Sequence, residues 1–164
     1  MRQFYDTIFT PVGEFSVALD ANGAVIATAF GGLAELRERF SADEIAHDPA
    51  RAADVCREVT EYFASHRQNF TVKLSPSGTP FQQSVWAALR RIPFGATRSY
   101  GDLAAELGNP GASRAVGRAN ATNPICLLIP CHRVVGSDGS LNGYAFGETL
   151  KRHLLLHEGA VAPT

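Results

Sequence analysis

The sequence predicts an α+β protein built in two halves, and three observations lead there. Residues 1–30 carry short apolar alternations separated by turn residues, the mark of an antiparallel meander. Helical patterns follow, each opened or closed by recognisable capping residues. Ser75-Pro76-Ser77-Gly78 then interrupts the chain near its middle, so that 1–78 and 79–164 read as separate domains.

Three strands are expected over 4–9, 13–19 and 23–29. Phe15, Val17 and Leu19 alternate, Phe4 and Ile8 do so more loosely, and Pro11-Val12-Gly13 and Asp20-Ala21-Asn22-Gly23 supply the turns. Gly31-Gly32 opens a short helix to about residue 40. A longer helix is expected over 50–66, with Val55, Val59, Tyr62, Phe63 and His66 on one face and Cys56 just beside it. His47 and His66 have no further ligand at a useful spacing, so no metal site is expected.

In the second half, Thr79 reads as an N-cap, Pro80 as the first helical residue and Gln82 as the close of a capping box. Phe81, Val85, Ala88 and Leu89 form the buried stripe of that helix, Trp86 reads as core, and Ile92-Pro93 ends it. Ser99 with Asp102 starts the next helix, in which Leu103, Ala104 and Leu107 point inward. After the break at Gly108-Asn109-Pro110 another helix runs over 110–121, giving a helix-turn-helix pattern. Its Ala112, Ala115, Val116 and Ala119 form a small apolar face; Arg114, Gly117, Arg118 and Ala121 lie roughly opposite. Two arginines on a face with almost no bulk suit a narrow, negative groove. Arg114, Ala115, Gly117, Arg118 and Ala121 are therefore the candidate DNA contacts. A last helix is expected over 148–158, stopped by Gly159, with Leu150, Leu154 and Glu158 on one face. A carboxylate on an apolar face needs a partner, and His132 is the natural one.

Of 164 residues, 45% are hydrophobic and 19% charged, which reads as soluble and globular. No run approaches the ~18 apolar residues of a membrane span, and the N-terminus alternates like a strand rather than a secretory signal. Cys56, Cys126 and Cys131 are odd in number and lack paired spacing, which argues against a disulfide framework or a cysteine zinc site. A reducing cytoplasm fits best. Residues 1–78 hold 7 Lys/Arg against 11 Asp/Glu; residues 79–164 hold 8 against 5. The net charge of −1 thus hides a basic excess in the second half, where a nucleic-acid surface would lie.

The chemistry concentrates in Asn123-Pro124-Ile125-Cys126-Leu127-Leu128-Ile129-Pro130-Cys131-His132-Arg133-Val134-Val135. An apolar run leads into a φ-fixed proline, a thiol and an imidazole. A histidine beside a cysteine is the commonest device for making a thiolate. Cys131 as nucleophile, His132 as base and Glu158 as the group that orients it form a nucleophile-base-orienter set. Since sequence neighbours rarely aim their side chains the same way, a water between Cys131 and His132 is expected.

The stretch 129–135, with its flanking motifs from Phe81 to Gly159, resembles the O6-alkylguanine-DNA alkyltransferases, also called methylated-DNA-protein-cysteine methyltransferases. The resemblance implies a variable ribonuclease-H-like first half with an antiparallel sheet, and a helical, winged-helix-like second half. It implies DNA repair in which Cys131 takes a methyl or other alkyl group from O6 of guanine, with O4 of thymine as a second candidate. No cofactor is implied, and the expected state is a monomer on double-stranded DNA containing O6-alkylguanine. Arg114 matches the finger that fills the base stack. Tyr100 matches the tyrosine that promotes flipping and aids leaving-group protonation. Asn123 matches the asparagine that braces the turns near the cysteine. Tyr144 matches the aromatic wall of the guanine pocket, faced also by Val134, Val135 and Ala145. Phe146 departs from the family, which has a small glycine there, and the zinc ligands of some animal relatives have no counterpart. Three other readings stand beside this one. A cysteine hydrolase would turn over, a module that only recognises alkylated bases would lack the cysteine, and a regulatory helix-turn-helix protein would leave the Cys-His-Glu set without a use.

Overall fold

Alternation and Asn-Gly turn chemistry produce the expected meander in the computed structural model, which describes residues 2–41 and 44–161. Strands β1 (Gln3–Thr10), β2 (Gly13–Leu19) and β3 (Val25–Phe30) pair antiparallel, with Ile8 opposite Phe15 and Phe15 opposite Phe30. The sheet is not wholly antiparallel. A fourth strand, β4 (Ile45–His47), adds to β1 in parallel and makes the order β3-β2-β1-β4. Three residues reading Ile-Ala-His are too short to display a period, so the strand left no pattern to read. Central β2 is buried on both faces. Its Ser16 is accommodated by bonds to the Thr7 hydroxyl and the Gly31 carbonyl, each 2.7 Å.

Helix α1 (Leu33–Arg37) and helix α2 (Ala53–Phe63) complete this unit. Val55, Val59 and Tyr62 are buried as their spacing requires. His66, expected on the same face, lies beyond the end of α2 and is exposed, because the chain turns at Ser65 with φ 63°. Glu58 is buried within α2. The Thr71 and Val72 amides donate to its carboxylate at 2.8 and 3.3 Å, the Thr71 hydroxyl donates as well, and Arg67 stands 3.5 Å away. Burial works to raise its pKa, but these bonds outweigh it and bring the pKa below the usual carboxylate value. Burial and the Asp6 charge push the Cys56 thiol up to about 12, which leaves it inert at neutral pH.

The chain divides into compact units Met1–Ser77 and Gly78–Thr164. The second contains α3 (Pro80–Arg90), β5 (Arg98–Ser99), α4 (Tyr100–Glu106), α5 (Ser113–Ala121), a 3-10 turn at Cys131–Arg133, β6 (Val134–Val135) and α6 (Glu148–His157). Both capping boxes form: Thr79 accepts from the Gln82 amide at 3.1 Å and Ser99 from the Asp102 amide at 3.0 Å, and each N3 side chain bonds back. Trp86 is core, and its indole N–H donates to the Ala119 carbonyl at 2.8 Å, fastening α3 to α5. Phe81 is not part of the buried stripe; it is 38% exposed because the first turn of α3 overhangs the packed region, which begins at Val85. Leu107 is half-buried and ends α4 as its C-cap. On α6 the expected face is rotated. Leu154 and Glu158 are buried, Leu150 is only partly so, and Lys151 and Leu155 take the central places. Among the described residues no helix is long and apolar enough to cross a membrane. No group of three His, Cys, Asp or Glu among them could hold a metal ion.

Candidate active site

The nucleophile loop is tied down by its own backbone and by asparagines. Asn123 Nδ2 donates to the Ile129 carbonyl at 2.8 Å, and its Oδ1 accepts from the Ile125 amide at 3.0 Å. Between those ties the chain doubles back, with Ile129 N–H bonded to the Ile125 carbonyl at 2.9 Å. The turn requires Leu127 to take φ 72°, a conformation that costs a side-chain-bearing residue of order 1 kcal/mol or more. Pro130 then sets the entry to the 3-10 turn, whose first residue is Cys131, 5% exposed. Asn120 Nδ2 donates to the carbonyl of Cys131 itself at 3.3 Å.

His132 Nε2 lies 2.8 Å from Glu158 Oε2, with both side chains fully buried. A carboxylate only accepts, so Nε2 carries the proton and Nδ1 is left as the basic atom. Nδ1 is buried and has no hydrogen-bond partner among the described residues. Burial pushes the His132 pKa below its ordinary value. Glu158 pulls the other way, while Arg133 and Lys151 add to the depression, so the ring is neutral at pH 7. Glu158 holds a second partner that its helix position did not announce. Arg133 Nε and Nη2 each donate to it at 2.9 Å, and Nη1 donates to the Ile92 carbonyl at 2.7 Å. Burial alone would raise the Glu158 pKa, but His132 and Arg133 bring it down to about 2.

Lys151 faces the same site. Its side chain is buried, with Nζ 3.4 Å from the Asn142 carbonyl. Desolvation lowers its pKa to about 8, while the Cys131 and Glu148 charges favour the ammonium. By reciprocity, the ammonium favours the Cys131 thiolate. Tyr100 opens α4 directly after β5, which pairs parallel with β6, Arg98 opposite Val134 and Ser99 opposite Val135. Two residues at the end of the nucleophile turn thereby set where the tyrosine begins. The Tyr100 hydroxyl donates to the Asn142 carbonyl at 3.3 Å and lies against Gly143, where a Cβ would come within 2.9 Å of it. Burial and the Cys131 charge raise the Tyr100 pKa, and a hydrogen bond from Asn120 opposes them.

The candidate pocket residues are less uniform. Val134, Val135 and Tyr144 are buried, Ala145 is exposed and Phe146 is half-buried, with its ring 5.8 Å from that of Tyr144 in an edge contact. On α5, Arg114, Arg118 and Ala121 are exposed, Ala115 and Gly117 half-buried, and Val116 and Ala119 buried. Phe81, Gln82, Ala115, Arg118 and Thr122 line an open cleft beside that face.

The structure thus brings Cys131, His132, Glu158, Asn123 and Tyr100 to one site and leaves Arg114 and Arg118 in solvent. Sequence reasoning missed Arg133, Lys151 and Asn120. Lys151 had a readable signal: it lies i+3 from Glu148 and i−7 from Glu158, and so belongs to the stripe that ends in the orienting carboxylate. Arg133 lies within the motif but shows no pattern that marks its role, and Asn120 looks like an ordinary polar residue near a helix end.

Comparisons with known proteins agree with this geometry. The family described as 6-O-methylguanine DNA methyltransferase, DNA binding domain, matches residues 80–160. The methylated-DNA–protein-cysteine methyltransferase of Methanosarcina acetivorans is 41% identical over 157 residues, covering 96% of this chain and 99% of that protein. The constitutive enzyme of Bacillus subtilis is 40% identical over 155 residues, covering 94% and 93%. A crystal structure of Mycobacterium tuberculosis OGT in complex with DNA superposes with a TM-score of 0.86 at 41% identity, covering 98% of this chain and 95% of that one. With a buried thiol, an imidazole whose free nitrogen is its basic one and a carboxylate locked behind it, this chain belongs to the methylated-DNA–protein-cysteine methyltransferases, enzymes that alkylate themselves.

Proposed function

We propose that the protein binds duplex DNA, receives a flipped O6-alkylguanine and moves the alkyl group to Cys131 in one irreversible event. The observation that carries this is the His132 pair: Nε2 is spent on Glu158 and Nδ1 remains as base. His132 takes the thiol proton through a bridging water. The sulfur then attacks the methyl carbon; the C–S bond forms as the C–O6 bond breaks. The electron pair of the broken bond stays on the guanine, and Tyr100 supplies the proton that neutralises it. Lys151 favours the thiolate while it waits. The thioether product has no acyl carbon for water to attack, so each molecule acts once.

A base inside a duplex cannot reach a buried thiol, and extruding it costs a few kcal/mol. Arg114, exposed on α5, fills the gap left in the stack, and Arg118 meets the backbone. The protein acts as a monomer, and O4 of thymine offers the same kind of leaving oxygen. Intact-mass measurement after incubation with O6-methylguanine duplex is the direct test. One CH2 should be added per molecule, mapped to Cys131, with plain guanine left in the DNA. Multiple turnovers, or a methyl on Cys56 or Cys126, would sink the reading. Arg114→Ala should slow duplex repair about 10–100-fold, a barrier change of roughly 1.4–2.7 kcal/mol, and leave the reaction with free O6-benzylguanine nearly unchanged. Equal slowing of both reactions would remove the stack-filling role.

A further inference from the structure

We propose that Arg133 is a positioning residue for the base: its guanidinium fork locks the Glu158 carboxylate in one orientation and takes up part of its charge, so that His132 rests with Nε2 protonated and Nδ1 bare. The inference deepens the alkyl-transfer reading above and rests on it. Arg133 is the last residue of the 3-10 turn that begins at Cys131, and it is 6% exposed. Successive side chains leave such a turn roughly 120° apart, so thiol, imidazole and guanidinium set off in three directions. The last two nevertheless end on one carboxylate. Arg133 Nε donates to Glu158 Oε1 at 2.9 Å and Nη2 to Oε2 at 2.9 Å, and the same Oε2 accepts from His132 Nε2 at 2.8 Å. Nη1 donates to the Ile92 carbonyl at 2.7 Å, which fixes the plane of the fork just beyond the end of α3. A lysine is a point charge and could hold neither that plane nor both oxygens. With both oxygens gripped, the carboxylate is kept from turning, and Oε2 stays aimed at the imidazole.

Stability alone accounts poorly for this arrangement. A buried ion pair loses in desolvation much of what it gains in attraction, and well-packed apolar residues commonly do as well. Chemistry accounts for it better. A buried carboxylate with no other partner holds a proton on a neighbouring imidazole, and an imidazolium cannot take the proton of a thiol. Burial is the main influence that keeps the His132 pKa below its ordinary value; the Glu158 bond and charge pull against it, and the Arg133 charge works with it. Lys151 of α6 acts in the same sense as Arg133. Cys131 adjoins the ring in the chain, Tyr100 of α4 feels the Cys131 charge, His157 packs edge-on against Phe94, and Arg90 and Arg91 beside α3 are exposed. Arg133 is thus the cation that sits directly on the orienting carboxylate. It lets Glu158 aim the ring without making it a resting imidazolium.

The test uses the full chain with 15N-labelled histidine, followed by NMR and by single-turnover methyl transfer from O6-methylguanine duplex, with thermal midpoints for each variant. In wild type the His132 ring should show Nε2–H and a bare Nδ1 from about pH 6 to 8. An imidazolium or an Nδ1–H tautomer there would overturn the proposal by itself. Arg133→Met should raise the pH at which the ring titrates by roughly one unit, and the acid limb of transfer should rise with it. The rate should fall about tenfold on the acid side and about threefold on the alkaline plateau, where the base is bare again but loosely held. Arg133→Lys restores the cation without the fork, so its acid limb should return close to wild type while its plateau stays low. Where Arg133→Met yields no folded protein, Arg133→Lys decides: a plateau equal to that of wild type would show that the fork positions nothing. A lowered thermal midpoint with ring titration and acid limb both unmoved marks a structural prop and overturns the proposal. Absence of transfer by wild type would instead overturn the alkyl-transfer reading, while the ring signals still report what Arg133 does to His132.

Discussion

Glu158→Ala is expected to slow methyl transfer roughly ten-thousandfold, the scale seen when the orienting carboxylate of a nucleophile-base pair is lost. The same change should destabilise the second unit by about 3–5 kcal/mol, because it breaks a buried pair by removing one partner. Both effects come from one carboxylate with two clients. Without it, His132 can rotate or take the other tautomer, and Arg133 keeps its bond to the Ile92 carbonyl but loses its buried counter-charge. Single-turnover kinetics and thermal melts read the two separately. Glu158→Gln preserves volume, so a large rate loss with a smaller change in melting would separate the electrostatic role from packing. The pH dependence has a definite sign. The Glu158 pKa falls from 4.5 to about 2 on folding, so its contribution is present above the unfolded value and is lost as pH falls toward 2. The depressed His132 acts in the same direction, because an unfolded histidine gains its proton first as pH falls. In Glu158→Gln the acid limb of stability should shrink. An unchanged limb would mean that other carboxylates govern it.

Lys151→Met should slow transfer about tenfold near pH 7 while raising thermal stability. Wild-type folding takes a lysine from a pKa of 10.5 to about 8, a penalty on the order of 3 kcal/mol at neutral pH that a methionine of similar shape does not carry. Between pH 8 and 10.5 the unfolded chain holds more proton than the folded one, so wild-type stability should rise with pH across that window. The variant should lack this rise. Its rate deficit should shrink toward pH 9–10, where the thiol ionises unaided and wild type loses its ammonium. A deficit constant across pH would assign Lys151 a packing role instead.

The reading from sequence succeeded where one residue type does a local job. Thr79, Ser99 and Pro80 announce helix starts because a cap acts within three residues of itself. Cys131, His132 and Glu158 were legible because a thiol beside an imidazole, and a carboxylate on an apolar face, both demand an explanation. Failure came where meaning depends on distant partners. Arg133 is a solvated cation by type and joins the buried His132–Glu158 pair only through a partner 25 residues away. Asn120 acquires its neighbours from the loop carrying Cys131 and from α4, neither of which its local pattern encodes. Strand β4 exists because β1 offers it an edge, and Phe81 stays 38% exposed because it lines an open cleft beside α5 rather than the packed core.

Gly143 is constrained twice. Its φ of +86° suits glycine, and the Tyr100 hydroxyl occupies the space a methyl group would need. For an evolving lineage these are separate barriers. Shortening Tyr100 to phenylalanine would clear the space but leave the backbone in its left-handed state. Straightening the backbone would leave the hydroxyl in the way and pull the Asn142 carbonyl from both Tyr100 and Lys151. A side chain at Gly143 would thus meet both a left-handed backbone and the Tyr100 hydroxyl, whereas at the neighbouring positions Ala145 is exposed and Phe146 half-buried.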